Sequence, residues 1–132
     1  MVYCAAMSID DAYNSVVEYD PRAILLNCSL PEAIDAAWPR VKNLNIPIGA
    51  YANGFTSITA LPIAGGVEML KARDDLGPDE YANAAMNWVN NGASVVGGCC
   101  EISPVHIRCL ATVLEEQGFS VTSEVSSGQR AD

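Results

Sequence analysis

The sequence predicts an α/β fold with parallel strands, and three observations predict it. Short continuous apolar runs recur along the chain. Stretches with helical periodicity separate them, and Pro, Gly or Asn–Gly breakers mark the joints. Strands that alternate with helices in this way pair in parallel and are linked by right-handed crossovers.

The elements follow in order. Ser8 and Asp11 form a Ser-x-x-Asp capping box, with Ile9, Ala12, Tyr13, Val16 and Val17 as the apolar stripe of a first helix. Asp20-Pro21 ends it. Residues 23–26 are a continuous apolar run, which suits a strand buried on both faces. Asn27-Cys28-Ser29 closes that strand, and Pro31 opens a second helix with Ile34, Trp38 and Val41 on one face. Pro39 lies inside this stripe and predicts a kink or an early end. Residues 46–51 form the next strand, and Asn53-Gly54 is a turn signal.

Residues 54–76 carry no clean period and contain Gly65-Gly66, and a connection that long is more often a functional lid than an idle loop. Pro78 starts a third helix with Tyr81, Ala85, Trp88 and Val89 inward, and Gly92 suits its C-terminal cap. Residues 93–96 are the third strand, followed directly by Gly97-Gly98-Cys99-Cys100. Ser103 and Pro104 begin a last helix whose inner face is Ile107, Leu110, Ala111 and Leu114, and Gly118 closes it. One domain is expected over residues 1–120, with a polar tail over 121–132.

Composition narrows the function classes. Half of the 132 residues are apolar and 17% are charged, as in a globular chain with a real core. Sixteen acids against seven bases give a net charge of -9, a field that repels phosphate backbones and anionic lipid. Nucleic acid and membrane surfaces are therefore not expected partners. No apolar stretch approaches the roughly 20 residues of a membrane-spanning helix. The opening residues lack the basic region and length of a signal peptide. Five cysteines, an odd number with two adjacent, do not resemble a secreted disulfide framework, so a cytoplasmic location is expected.

Chemistry is expected at the C-terminal ends of the strands, whether the sheet is open or closed. Cys28 follows one strand, and Cys99 and Cys100 follow another, so all three belong to one rim. Neighbouring residues on a strand point to opposite faces, so Cys99 and Cys100 can share a ligand only if the backbone leaves the ladder. Gly97-Gly98 is expected to permit that through its conformational freedom. Three thiolates around zinc leave one tetrahedral position open, the mark of a catalytic site, and a substrate thiol entering there would lose its proton. The residues alone leave this metal site, a redox pair and chance adjacency as alternatives. Cys4 and Cys109 lie off the rim and read as small buried side chains.

The run from Gly92 to Cys100, ending in Gly-Gly-Cys-Cys, together with Ser103-Pro104-Val105-His106-Ile107, resembles the signature of homocysteine S-methyltransferases. Asn27-Cys28-Ser29 resembles the family's Asn-Cys after its sixth strand. Residues 46–54 resemble the seventh strand and its Tyr-Pro-Asn-x-Gly turn, with Ala52 in place of the proline. The resemblance is collinear from about Ser8 to Gly118. It implies the C-terminal part, about strands 6 to 8, of a (β/α)8 TIM barrel. It also implies Zn held by Cys28, Cys99 and Cys100, with homocysteine and a small-molecule methyl donor as partners. Asn53 is a candidate substrate contact.

Two departures stand out. Glu101-Ile102 replace the family's glycine and small hydroxyl residue, and a carboxylate there would repel three thiolates unless it turns to solvent. Family barrels need about 250 residues, so the chain is expected to be a truncated form. It would then self-associate or pair with a missing N-terminal half. The expected function is zinc-dependent methyl transfer to the homocysteine thiol, forming methionine. The alternative is an inactive zinc-binding remnant or one half of a split barrel. His106 is expected in a helix-start role, Trp38, Trp88 and Tyr81 in the core, and Glu32, Asp35, Asp74, Asp75, Asp79, Glu80, Glu115 and Glu116 on solvated surface.

Overall fold

The computed structural model describes residues 7–57 and 70–122. Local capping sets where its helices start. The Ser8 hydroxyl accepts the Asp11 N–H at 3.1 Å and opens α1 (Ile9–Val16), which runs on into a 3-10 turn over Val17–Tyr19. Asp20, in the left-handed region at φ 51, stops it. α2 (Pro31–Val41) and α3 (Pro78–Asn90) each begin on proline, where the missing N–H costs nothing. α4 (Pro104–Glu116) adds a capping box to its proline. Gly92 and Gly118, at φ 104 and 86, terminate α3 and α4 as their sequence positions predict.

Three short parallel strands lie between these helices: β1 (Ile24–Asn27), β2 (Ile48–Ala52) and β3 (Val95–Gly98), in the spatial order β1-β2-β3. Leu26 pairs with Ala50 and Ala50 with Val96, so the rim residues Asn27, Tyr51 and Gly97 stand level. The sheet's side-chain alternation divides its two faces. Ile48, Ala50 and Ala52 point into a core completed by Ile34, Trp38 and Val41 of α2, Tyr81, Ala85 and Trp88 of α3, and Leu110 and Leu114 of α4. Trp88 is fully buried, and removing such a side chain to alanine typically costs about 3–5 kcal/mol. The other face carries Leu25, Asn27, Tyr51, Val95 and Gly97.

Several expectations change. The strand over 23–26 is not buried on both faces: Leu25 remains 37% exposed while Ile24 and Leu26 are half-buried. β2 and β3 each begin two residues later than expected, so Gly97 and Gly98 fall inside the strand. Pro39 does not end α2, because the next hydrogen bond, from the Lys42 N–H to Trp38 O, still forms at 3.0 Å. The α1 stripe is only shallowly packed, with Val16 and Val17 at 40% and 44% exposure. Ile107 is exposed as well, and His106 takes the packed side of that turn. Of the long connection, residues 58–69, including Gly65-Gly66, lie outside the described residues, as do Cys4 and the tail beyond Thr122. Its two ends meet through an antiparallel bridge between Phe55 and Ala72. No helix among the described residues is long and apolar enough to cross a membrane.

Candidate metal centre

Turns leave the carboxyl ends of all three strands on one side of the sheet. After β1, the Cys28 N–H makes a last rung to Tyr51 O at 2.8 Å, and Cys28 then adopts φ 50. A non-glycine residue in this left-handed region is uncommon and is held there by its surroundings. After β3, the Cys99 N–H bonds Ala52 O at 2.9 Å, and the chain reverses in a turn closed by Ile102 N–H to Cys99 O at 3.1 Å. Glu101 sits at φ 62 in that turn.

The paired glycines do not act through backbone freedom, as expected of them, but through their lack of a side chain. Gly97 and Gly98 remain in the ladder, opposite Tyr51 and Ala52, and neither has a positive φ. What they supply is space. A Cβ on Gly97 would lie 2.7 Å from the Tyr51 ring, and one on Gly98 would lie 2.3 Å from the Ile102 side chain. The ladder runs two residues past the expected strand end at Val96 and is left at Cys99, and the turn itself brings two adjacent thiols to one place.

The thiols of Cys28, Cys99 and Cys100 all lie within 4.8 Å of one another, and each residue is half-buried. Cys100 Sγ is 3.8 Å from Cys28 Sγ and 3.8 Å from Cys99 Sγ. Zinc–sulfur bonds of about 2.3 Å in a tetrahedron place ligand sulfurs about 3.8 Å apart, so the donor set fits zinc in type and spacing. A hydrogen bond with Cys99, followed by burial and the Cys100 thiol, pushes Cys28 up to about 11. Burial pulls Cys99 upward too. Hydrogen bonds from Cys28, the Cys100 backbone N–H and the Cys100 thiol outweigh it, leaving Cys99 below the ordinary thiol value. Thiolates this close repel one another unless a cation lies among them.

The turn after β2 carries no cysteine but touches both cysteine turns. Asn53 has no exposed surface. Its Nδ2 donates to Cys28 O at 2.8 Å and lies 4.0 Å from Cys28 Sγ, and its Oδ1 accepts the Phe55 N–H at 3.1 Å. Glu101 is exposed, so its carboxylate is turned to solvent. His106 completes the α4 capping box. Its Nδ1 accepts the Ser103 N–H at 3.2 Å, and since Nε2 lies 3.1 Å from the Leu76 carbonyl, Nε2 carries the proton. Cys109 stands apart from the cluster and donates to Asp79 at 3.2 Å.

Sequence reading missed two side chains. Asp35 is exposed as expected, but it also accepts the Trp88 indole N–H at 2.6 Å, a partner not foreseen. Arg73, not singled out at all, bonds both oxygens of Glu32 at 2.7 and 2.8 Å and both of Asp75 at 2.9 Å. Its Asp75 partner is local, but its Glu32 partner lies 41 residues away, where no short-range pattern marks it.

Known proteins resemble this chain over most of its length. The family model for homocysteine S-methyltransferase matches residues 4–114. Homocysteine S-methyltransferase 4 of Zea mays is 28% identical over 108 residues, covering 80% of this chain and 30% of that protein. Homocysteine S-methyltransferase 3 of Arabidopsis thaliana is 28% identical over 130 residues, covering 98% of this chain and 34% of that protein. The chain spans about a third of the length of these relatives.

Proposed function

Since the chain belongs to the homocysteine S-methyltransferase family, we propose that its strand rim is the metal-binding part of a methyl-transfer site acting on the homocysteine thiol. The observation that carries this reading is the cluster of three thiols, spaced as zinc ligands, at the carboxyl ends of two parallel strands. Strand order that follows chain order, with helices packed on one sheet face, supports a (β/α)8 barrel in which these strands are about the sixth to eighth.

Cys28, Cys99 and Cys100 would hold the zinc. The chemistry zinc supplies is Lewis-acid activation of a substrate thiol at its fourth position. The chain's own residues do the rest of what this rim offers. The left-handed Cys28 and the Cys99–Ile102 turn aim the three thiols at one point, and half-burial lowers the local dielectric around them. Glu101 keeps its charge in solvent, away from the incoming sulfur. In the overall transfer the homocysteine thiol loses its proton, its sulfur bonds the methyl carbon of the donor, and the donor–methyl bond breaks, giving methionine. A site that needs three reduced thiols suits the cytoplasm.

Metal analysis of protein purified under reduction tests the reading. One zinc per chain is expected on purification, sharply reduced in Cys28→Ser, Cys99→Ser and Cys100→Ser, which keep only a weaker two-thiolate site, and retained in Cys109→Ser. Full zinc content in Cys28→Ser would refute the three-cysteine site.

A further inference from the structure

The turn between β2 and the long connection carries none of the three clustered cysteines, yet it is bonded to both turns that do. Ala52 O accepts the Cys99 N–H at 2.9 Å, and the Gly54 N–H donates to Cys100 O at 2.9 Å. The Asn53 N–H donates to Ser29 O at 2.9 Å, and Asn53 Nδ2 donates to Cys28 O at 2.8 Å. Three consecutive residues therefore fix the spacing between two turns that start 71 positions apart (Cys28 and Cys99). The approach is close: a Cβ on Gly54 would lie 3.1 Å from Glu101 Cβ.

Only one of these bonds uses a side chain. We propose that Asn53 is the positioning residue of the cysteine site, holding Cys28 in its left-handed conformation so that its thiol meets those of Cys99 and Cys100. Three observations carry this. Cys28 sits at φ 50, a conformation that a residue with a Cβ keeps only under constraint. Its carbonyl is gripped by an amide with no exposed surface. That amide is itself fixed, since Oδ1 accepts the Phe55 N–H, which orients Nδ2 toward Cys28 and leaves its second hydrogen directed near the Cys28 sulfur at 4.0 Å. Without Asn53 a buried acceptor and a buried donor lose their partners together, and Cys28 is free to relax to an extended backbone that turns its thiol away.

This inference rests on the reading that the three cysteines hold one metal ion, and the experiment separates the two. Cobalt(II), which shows thiolate ligation by charge-transfer absorption, is titrated into the reduced chain, Asn53→Ala, Asn53→Ser and Cys28→Ser, with zinc competition for affinity. In Asn53→Ala the absorption is expected to fall by about a third, as three thiolates become two, to the level of Cys28→Ser. Zinc affinity is expected to fall about 10- to 100-fold, as for other groups that orient metal ligands. Alkylation mapped by mass spectrometry should show Cys28 becoming reactive in metal-loaded Asn53→Ala while Cys99 and Cys100 stay protected. Absence of thiolate absorption in the unmodified chain would remove the metal reading itself. Normal absorption there and unchanged absorption in Asn53→Ala would overturn the positioning role. Equal deprotection of all three cysteines would also overturn it, since it would mark general loosening. Should Asn53→Ala not unfold cooperatively, Asn53→Ser, which keeps a small polar turn residue, carries the same comparison.

Discussion

Glu101 shows how a single backbone angle explains a sequence departure. It occupies φ 62 directly after the cysteine pair, where the family resemblance leads one to expect glycine. A side chain in that region costs roughly 1 kcal/mol, which glycine avoids. Glu101→Gly is therefore expected to raise stability by up to about 1 kcal/mol in denaturant titration, offset in part by glycine's unfolded-state entropy. Zinc affinity should stay unchanged, because the carboxylate faces solvent. A large loss of zinc would instead identify Glu101 as a ligand. The opposite change at Gly98 should be harmful. Gly98→Ala places a methyl 2.3 Å from Ile102 within the turn that aims both thiols, so a loss of about 1–3 kcal/mol and weaker metal binding are expected.

Between elements, part-buried and surface polar ties seat the helices. Trp38 of α2 donates its indole N–H to Asn91 O beyond α3, and Trp88 of α3 donates to Asp35 of α2, so each helix is pinned to the other at both tryptophans. Arg73 ties the segment returning from the long connection to the first turn of α2, while its own N–H bonds Gly54 O at 2.8 Å. This clasp gives the rim an acid sensitivity. Glu32 is held below the ordinary carboxylate value, first by its own backbone N–H and, against the pull of burial, by Arg73; Asp75 is lowered by its Arg73 hydrogen bond. Carboxyls lowered by folding contribute stability above the ordinary carboxylate range and lose it as pH falls through the lowered values. Urea midpoints measured from pH 6 downward should fall faster for the parent chain than for Arg73→Met. Parallel acid limbs would show that the clasp contributes nothing.

For the molecule as a whole, the consequential feature is the second face of the sheet. Leu25, Tyr51 and Val95 project from it with Leu25 exposed and the other two half-buried, while β1 and β3 each have an outer edge unpaired among the described strands. Parallel strands are ordinarily covered on both faces, and open edges invite pairing with another chain. The 132-residue chain is therefore expected to self-associate and to bind an apolar dye, and Leu25→Lys should reduce both in sedimentation and fluorescence measurements. A cooperatively folding monomer with no dye binding would overturn this expectation.

The sequence by itself determined the helix starts, the alternation of strand and helix that makes the strands parallel, and the rim on which the three cysteines stand. These are written in caps, breakers and periods that act over a few neighbouring residues, and Ser8, Pro31, Pro78, Ser103, Gly92 and Gly118 all do what their local chemistry predicts. The tertiary structure alone decided that Cys28 meets Cys100 across 72 positions, that Gly97 and Gly98 serve packing and not backbone freedom, and that Asn53, Asp35 and Arg73 carry the ties between segments. Those outcomes depend on strand register and on which surfaces close on one another, and neither is encoded in the few residues around any one of them.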